Sequence, residues 1–285
     1  MPLGSLPGAT DLGNVGPYPR HMTDLHAGSL VALITGGGTG IGAATARRLA
    51  ADGFHVVIGG RRRERLDETA TAINLEFPGA ATVVVLDVTS DESVGAAVAG
   101  LERCDVLVNN AGGALGVSRV EDGDLAEWQQ MYASNVLGTV RVTQAVLPLL
   151  RRSPRATIVN ISSVAGETVY EGGAGYTTAK HGTSVISETL RLELNGEHVR
   201  VIDVRPGMVH TEEFSLTRLH GDQGAADRVY EGVDRPLVAA DVAECVAFAV
   251  GLPQHVNIDT LVVKPVAQAA AHKVHRAPID WKTGE

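Results

Sequence analysis

"LVALITGGGTGIGAATARRLAADG", Leu30 to Gly53, is the stretch from which the rest of the chain is read. Its opening, "LVALIT", is a short continuous apolar run, as expected of a strand buried on both faces. The run breaks into "TGGGTGIG", Thr35 to Gly42. "GIGAATARRLAADG" then takes up helical spacing and stops at Gly53. A glycine-rich turn between strand and helix has a physical use. Glycine permits the tight turn and lets backbone N–H groups at a helix start approach a pyrophosphate. A glycine loop alone is a weak signal, but here the strand–turn–helix context is right. Gly36, Gly38, Thr39, Gly40 and Ile41 are the candidate contacts in this turn, with Gly37 and Gly42 beside them.

Outward from this unit the same alternation repeats. "HVVIGG" reads as a second strand, and Arg62 to Phe77 as a helix closed by "PGA". "ATVVVLDV" reads as a third strand, followed by a helix near Glu92 to Leu101. "DVLVNNAG" is a fourth strand, and a long helical stretch covers about Leu125 to Leu150. "ATIVNISS" is a fifth strand and Gly175 to Asn195 the next helix. "VRVIDVRPG" is a sixth strand, Ala239 to Val250 a helix, and "IDTLVV" a seventh strand. Strands alternating with helices of this length predict right-handed βαβ units. The fold expected is α/β: a single-domain, doubly wound Rossmann fold with a seven-stranded parallel sheet and helices on both faces, over residues 29–285. The long segment from about 207 to 236 reads as irregular, and a stretch of that length is expected to be a lid or binding loop. Residues 1–28, rich in proline and glycine and without the apolar core of a signal peptide, read as a flexible extension.

Composition narrows the partners. The chain has 285 residues, 44% of them hydrophobic, enough for a large core. Its formal net charge is -9, so no basic face for nucleic acid is expected. No apolar run reaches the roughly 18 residues of a membrane span. Two cysteines, Cys104 and Cys245, make no disulfide framework, and a reduced, cytoplasmic setting is expected. His272 and His275 lack further ligands at useful spacing and read as a surface pair; no metal is expected. Trp128, on the long helix, reads as a core or interface residue.

The end of the second strand is where an acid for a ribose 2′-hydroxyl would be expected. The sequence has "GGRRR" there, with Arg61 the first choice and Arg62 the second for a 2′-phosphate clamp. Arginine pairs with a phosphate where an acid would repel it, so NADP(H) is expected rather than NAD(H). Asp87 and Val88, in "LDV" at the end of the third strand, are candidates for the adenine. "NNAG" after the fourth strand puts Asn110, Ala111 and Gly112 where backbone must pass close to a cofactor.

"GAGYTTAKHG", Gly173 to Gly182, sets Tyr176 and Lys180 four residues apart, which is one face of a helix. A positive charge there is expected to lower the phenol from its usual value of about 10 toward working pH. Tyr170 has Ala174 four residues on, so it lacks that partner. With TGxxxGxG, NNAG, a serine thirteen residues before YxxxK, and "PG" after the sixth strand, the chain resembles the short-chain dehydrogenase/reductase family from about Leu30 to Val266. The resemblance implies that Tyr176 is the general acid/base and that Lys180 also holds the nicotinamide ribose. It implies that Ser163, rather than Ser162, holds the substrate oxygen, and that Asn135 anchors a proton relay to the lysine. Pro206 and Gly207 would lie beneath the nicotinamide, with Thr211 on its carboxamide. A homo-oligomer, dimer or tetramer, is implied as well.

The segments "TEEFSLTRLHGD" and "LPQHVNIDTLVVKPVAQ" look like a narrower branch, similar to NADP-dependent 3-hydroxy acid and serine dehydrogenases. That implies a short 3-hydroxy acid or its semialdehyde as substrate, with other small aldehydes and ketones as the alternative. Arg218 is the candidate cation for a substrate carboxylate. A non-catalytic NADP(H) sensor would tend to lose the tyrosine or lysine, and both are present. An epimerase or dehydratase of nucleotide sugars would carry a larger region after Pro206.

Overall fold

Side chains alternate along a strand, so a strand covered on both faces must be apolar throughout. The first strand, β1 (Val31–Thr35), shows this. Ala32 and Ile34 are buried in one core, and Leu33 in the other, on the opposite face. The computed structural model describes residues 30–282; the expected extension, 1–28, lies outside them. After β1 come α1 (Gly40–Ala51), β2 (His55–Gly60), α2 (Arg63–Glu76), β3 (Ala81–Val85) and α3 (Asp91–Ala99). Next are β4 (Val106–Asn109), α4 (Leu125–Tyr132), α5 (Gly138–Leu150), β5 (Thr157–Ile161), α6 (Ala174–Glu193) and β6 (Arg200–Pro206). The chain continues through α7 (Phe214–Arg218), α8 (Gln223–Tyr230), α9 (Ala239–Gly251) and β7 (Thr260–Val263).

The seven strands form one parallel sheet in the order β3–β2–β1–β4–β5–β6–β7. Helices α1, α2 and α9 cover one core, and α3 and α5 the other. This is the doubly wound α/β fold expected from the alternating runs. The strand order reverses direction between β1 and β4. Their carboxyl ends open a crevice at that point, the place where ligands bind in open α/β sheets.

Three details differ from the sequence reading. The third strand stops at Val85, so Leu86, Asp87 and Val88 turn out of the sheet toward the crevice. The stretch from Leu125 to Leu150 is helical throughout, but a π-helical turn at Ala133–Leu137 divides α4 from α5. The segment 207–236 is not irregular. It holds α7 and α8, and its Val209–His210 pairs with Leu237–Val238. Among the described residues, no helix is long and apolar enough to cross a membrane.

Candidate active site

The first turn of the site is held by one threonine. Thr35, ending β1, accepts hydrogen bonds at Oγ1 from the Asn110 and Ala111 backbone N–H groups at 3.0 and 2.9 Å. Asn110 Nδ2 returns to the carbonyls of Thr35 and Gly36 at 3.0 and 3.2 Å. The glycine loop and the NNAG turn are thereby tied together at the crevice. Two glycines are required by this approach. Gly36 has φ +64°, and a Cβ on Gly42 would lie 2.2 Å from the Gly36 carbonyl oxygen. Behind this turn a buried polar ladder joins sheet to helices. Asn109 donates to Thr143 and Asn160, and Asn160 donates to Ser187 on α6.

A cavity of about 920 Å³ opens above these turns. Every residue predicted for catalysis or cofactor contact lines it, except Asn135. Arg218 lines it too, together with Arg65, Glu213 and Phe214, which the sequence reading missed. Arg65 had a signal, standing just beyond the arginine run 61–63; Glu213 had none.

At the arginine-lined end of the cavity, Arg62 donates Nη1 and Nη2 to the two oxygens of Glu213 at 3.0 and 2.6 Å. That contact holds the Glu213 carboxyl below its ordinary range. Arg61 makes no ion pair among the described residues. Asp87 lines the same cavity, its carboxyl held low by bonds from the Thr89 backbone and hydroxyl, with Arg61 adding to the effect.

At the other end, Tyr176 and Lys180 share the buried face of α6 with Thr183 and Ser187, at helical spacing. Lys180 Nζ donates to the Ile161 carbonyl at 2.9 Å and stands 5.8 Å from the centre of the Tyr176 ring. Burial drives the lysine down to about 8, against the pull of the Asp203 carboxylate. The expectation that Lys180 lowers the phenol is corrected here. Burial holds Tyr176 above its ordinary value, and the opposing pulls come from the Ser163 hydroxyl and the Arg218 guanidinium. Removing a charge from water outweighs a cation that itself lacks full solvation.

The two serines part at the end of β5. Ser162 donates its hydroxyl to buried Asp203. Ser163 turns the other way, accepting from the Ala165 backbone N–H at 3.1 Å and donating to the Pro206 carbonyl at 3.3 Å. Tyr170 stands near Arg218, whose Cζ lies 5.7 Å from its ring centre and 5.6 Å from that of Tyr176. Phe214 packs edge-on against Tyr176 at 5.9 Å.

Asn135 lies behind the cavity, in the π-helical turn. Its Nδ2 donates to the carbonyls of Gly113 and Met131 at 3.0 and 2.8 Å. Its Oδ1 has no hydrogen-bond partner among the described residues and lies where a Gly112 side chain would begin. Trp128 packs in the small core around Tyr176. Cys104 is buried, its thiol pushed up to about 12, and both cysteines are free. Among the described residues, no cluster of three or more His, Cys, Asp or Glu side chains could hold a metal.

A glycine turn at the switch point of a doubly wound sheet, facing a buried Ser–Tyr–Lys set, defines a dinucleotide-type oxidoreductase site. Residues 30–219 match the short chain dehydrogenase family, and the chain belongs to it. It is 49% identical to an uncharacterized oxidoreductase of Mycobacterium tuberculosis, over 90% of this chain and 100% of that one. It is 42% identical to sulfoacetaldehyde reductase 2 of Chromohalobacter salexigens, over 84% of this chain and 95% of the relative. Among solved structures, the closed form of a serine dehydrogenase complexed with NADP+ superposes with a TM-score of 0.80 at 38% identity. That match covers 87% of this chain and 100% of the other. The chain is an oxidoreductase of this family, similar to its serine dehydrogenase branch.

Proposed function

We propose that the protein is an NADP(H)-dependent dehydrogenase/reductase acting on a small carbonyl or alcohol that carries an acidic group. The observation that carries the reading is the convergence of Ser163, Tyr176 and Lys180 on the wall of one cavity whose far end is lined by Arg61, Arg62 and Arg65. The cavity's size is within the range that small-molecule and cofactor sites fill. A dinucleotide fits the residues present. Gly36 and Gly40 have positive φ, at 64° and 54°, and leave the start of α1 open to a pyrophosphate. Asp87 and Val88 would border the adenine, Arg61 and Arg62 the 2′-phosphate, and Asn110, Ala111 and Gly112 the middle. Pro206, Gly207 and Thr211 would border the nicotinamide. When bound, NADP(H) supplies or accepts the hydride.

The chain's own residues handle the proton and the oxygen. Burial keeps Tyr176 a neutral phenol at neutral pH, a proton donor to an alkoxide forming beside it. Ser163 adds a second hydroxyl at the same oxygen, held by its bond from Ala165. Lys180 keeps a charge beside the ring at neutral pH, favouring the moment when the phenol has given up its proton. Asn135, with its unpartnered Oδ1, anchors the route by which that proton is replaced. Arg218, on the segment 207–236 read as a lid, offers its guanidinium to a substrate anion above Tyr176. The serine dehydrogenase and the sulfoacetaldehyde reductase bear names of small substrates with a carboxylate and a sulfonate, which supports an anionic substrate. A 3-hydroxy acid or its semialdehyde fits this description.

A homo-oligomer belongs to the same proposal, supported by exposed apolar side chains on α6 (Val185 and Leu192) and at Leu137. A reducing, cytoplasmic setting is supported by the two free thiols.

The test is NADPH consumption with small aldehydes and ketones, some bearing a carboxylate or sulfonate and some neutral. Turnover is expected with the anionic members, and Tyr176→Phe should lose roughly a thousandfold in kcat. Absence of turnover across the panel, or full activity in the variant, refutes the reading.

A further inference from the structure

Glu213 is the feature of the cleft that the reaction leaves unexplained. It precedes α7, on the segment that covers the cavity, yet its carboxylate reaches the opposite wall. Both of its oxygens take Arg62, at 3.0 and 2.6 Å. Thr39, in the glycine loop, donates to the same carboxylate at 3.3 Å, and Arg65 Nε lies 4.0 Å away. A carboxylate in a fork-to-fork contact uses the same guanidinium donors that a phosphate would use. The two anions cannot occupy one fork together without strong repulsion.

We propose that Glu213 is a specificity-determining residue that competes with the cofactor's 2′-phosphate for Arg62. This rests on the NADP(H) reading above. The Arg62 and Glu213 side chains are 55% and 29% exposed, so water screens their pairing and a more highly charged phosphate can replace the carboxylate. Apparent affinity for NADP(H) is then reduced by the fraction of Arg62 that Glu213 holds. A cofactor without the 2′-phosphate meets no such competition. Glu213 therefore moderates the preference for NADP(H) over NAD(H). The exchange also releases the start of α7 from the glycine loop. That helix carries Phe214 and Arg218, which stand over Tyr176. Occupation of the phosphate end is thus coupled to the cover of the catalytic end.

Dissociation constants for NADP+ and NAD+, measured by titration calorimetry, test this in wild type, Glu213→Gln, Glu213→Ala and each combined with Arg62→Ala. Both Glu213 variants should bind NADP+ about fivefold tighter with NAD+ unchanged, as loss of a screened ion-pair competitor predicts. Arg62→Ala should erase that gain. Unchanged or weaker NADP+ binding in both Glu213 variants overturns the inference, as does an equal gain for NAD+. Unchanged NAD+ affinity also reports that the variants are folded. If wild type prefers NADP+ but ignores Glu213, this inference alone fails. If wild type binds the two cofactors equally, the NADP(H) reading fails and takes this inference with it.

Discussion

The two ends of the cleft use similar charges in opposite surroundings. At the catalytic end, Ser163, Tyr176 and Lys180 are each less than a tenth exposed. There the loss of water decides the titration: the phenol rises, and the lysine falls to about 8. At the phosphate end, Arg62 and Glu213 keep much of their solvent, and their mutual bond decides instead, raising the arginine and lowering the acid. Buried groups with displaced proton affinities suit proton transfer. Solvated groups that hold each other through a screened ion pair suit reversible binding of a charged ligand. On the proposed reading, the cleft separates chemistry from recognition by burial rather than by residue type.

The largest expected effect lies at the buried end. Lys180→Met should lower kcat by about a hundredfold, and in wild type the rate of reduction should fall as pH rises through about 8, where the ammonium is lost. Lys180→Arg should move that alkaline limb upward. A profile flat to pH 10 in wild type would show that burial does not set the lysine's charge. Stability gives an independent check of sign. The folded value, about 8, lies below the ordinary 10.5, so the unfolded chain binds more protons between them. Wild-type stability from this group should therefore rise with pH across that window. Melting curves of Lys180→Met should lack the rise.

Arg218 joins the two regimes, being a cation of the segment 207–236 placed over the buried Tyr176 ring. Arg218→Ala should lower kcat/KM for carboxylate- or sulfonate-bearing substrates about tenfold and leave neutral aldehydes unchanged. An equal loss for both classes would make it a packing residue. The smallest effect belongs to the exposed end. Arg61→Ala should raise the KM for NADPH by about threefold, with NADH unchanged, since a solvated contact contributes little. A loss shared by both cofactors would move the phosphate contact elsewhere.

How much of this was readable from residues alone depended on range. The strands were legible because burial on both faces forces continuous apolar runs. The glycine turn was legible because no other residue allows the approach of Gly42 to Gly36. The choice of Ser163 over Ser162 rested on a count of thirteen. The structure supplies a physical difference: adjacent residues at a strand end point oppositely, and Ser162 is committed to Asp203. The end of β3 was not legible, because Leu86 and Val88 are apolar and buried like strand residues after the pairing stops at Val85. Nor were α7 and α8, of five and eight residues, since helical periodicity needs a longer window.

The amino-acid sequence by itself determined the order of the seven sheet strands and the main helices between them, the two polar turns at the switch point, and the pairing of Tyr176 with Lys180 on one helical face. These follow from short-range rules: side-chain alternation, helical spacing and the conformational freedom of glycine. Only the tertiary structure decided which way the phenol and lysine shift, because desolvation depends on everything packed around them. It alone placed Glu213 on Arg62, 151 residues away in sequence. No local pattern encodes a contact of that length.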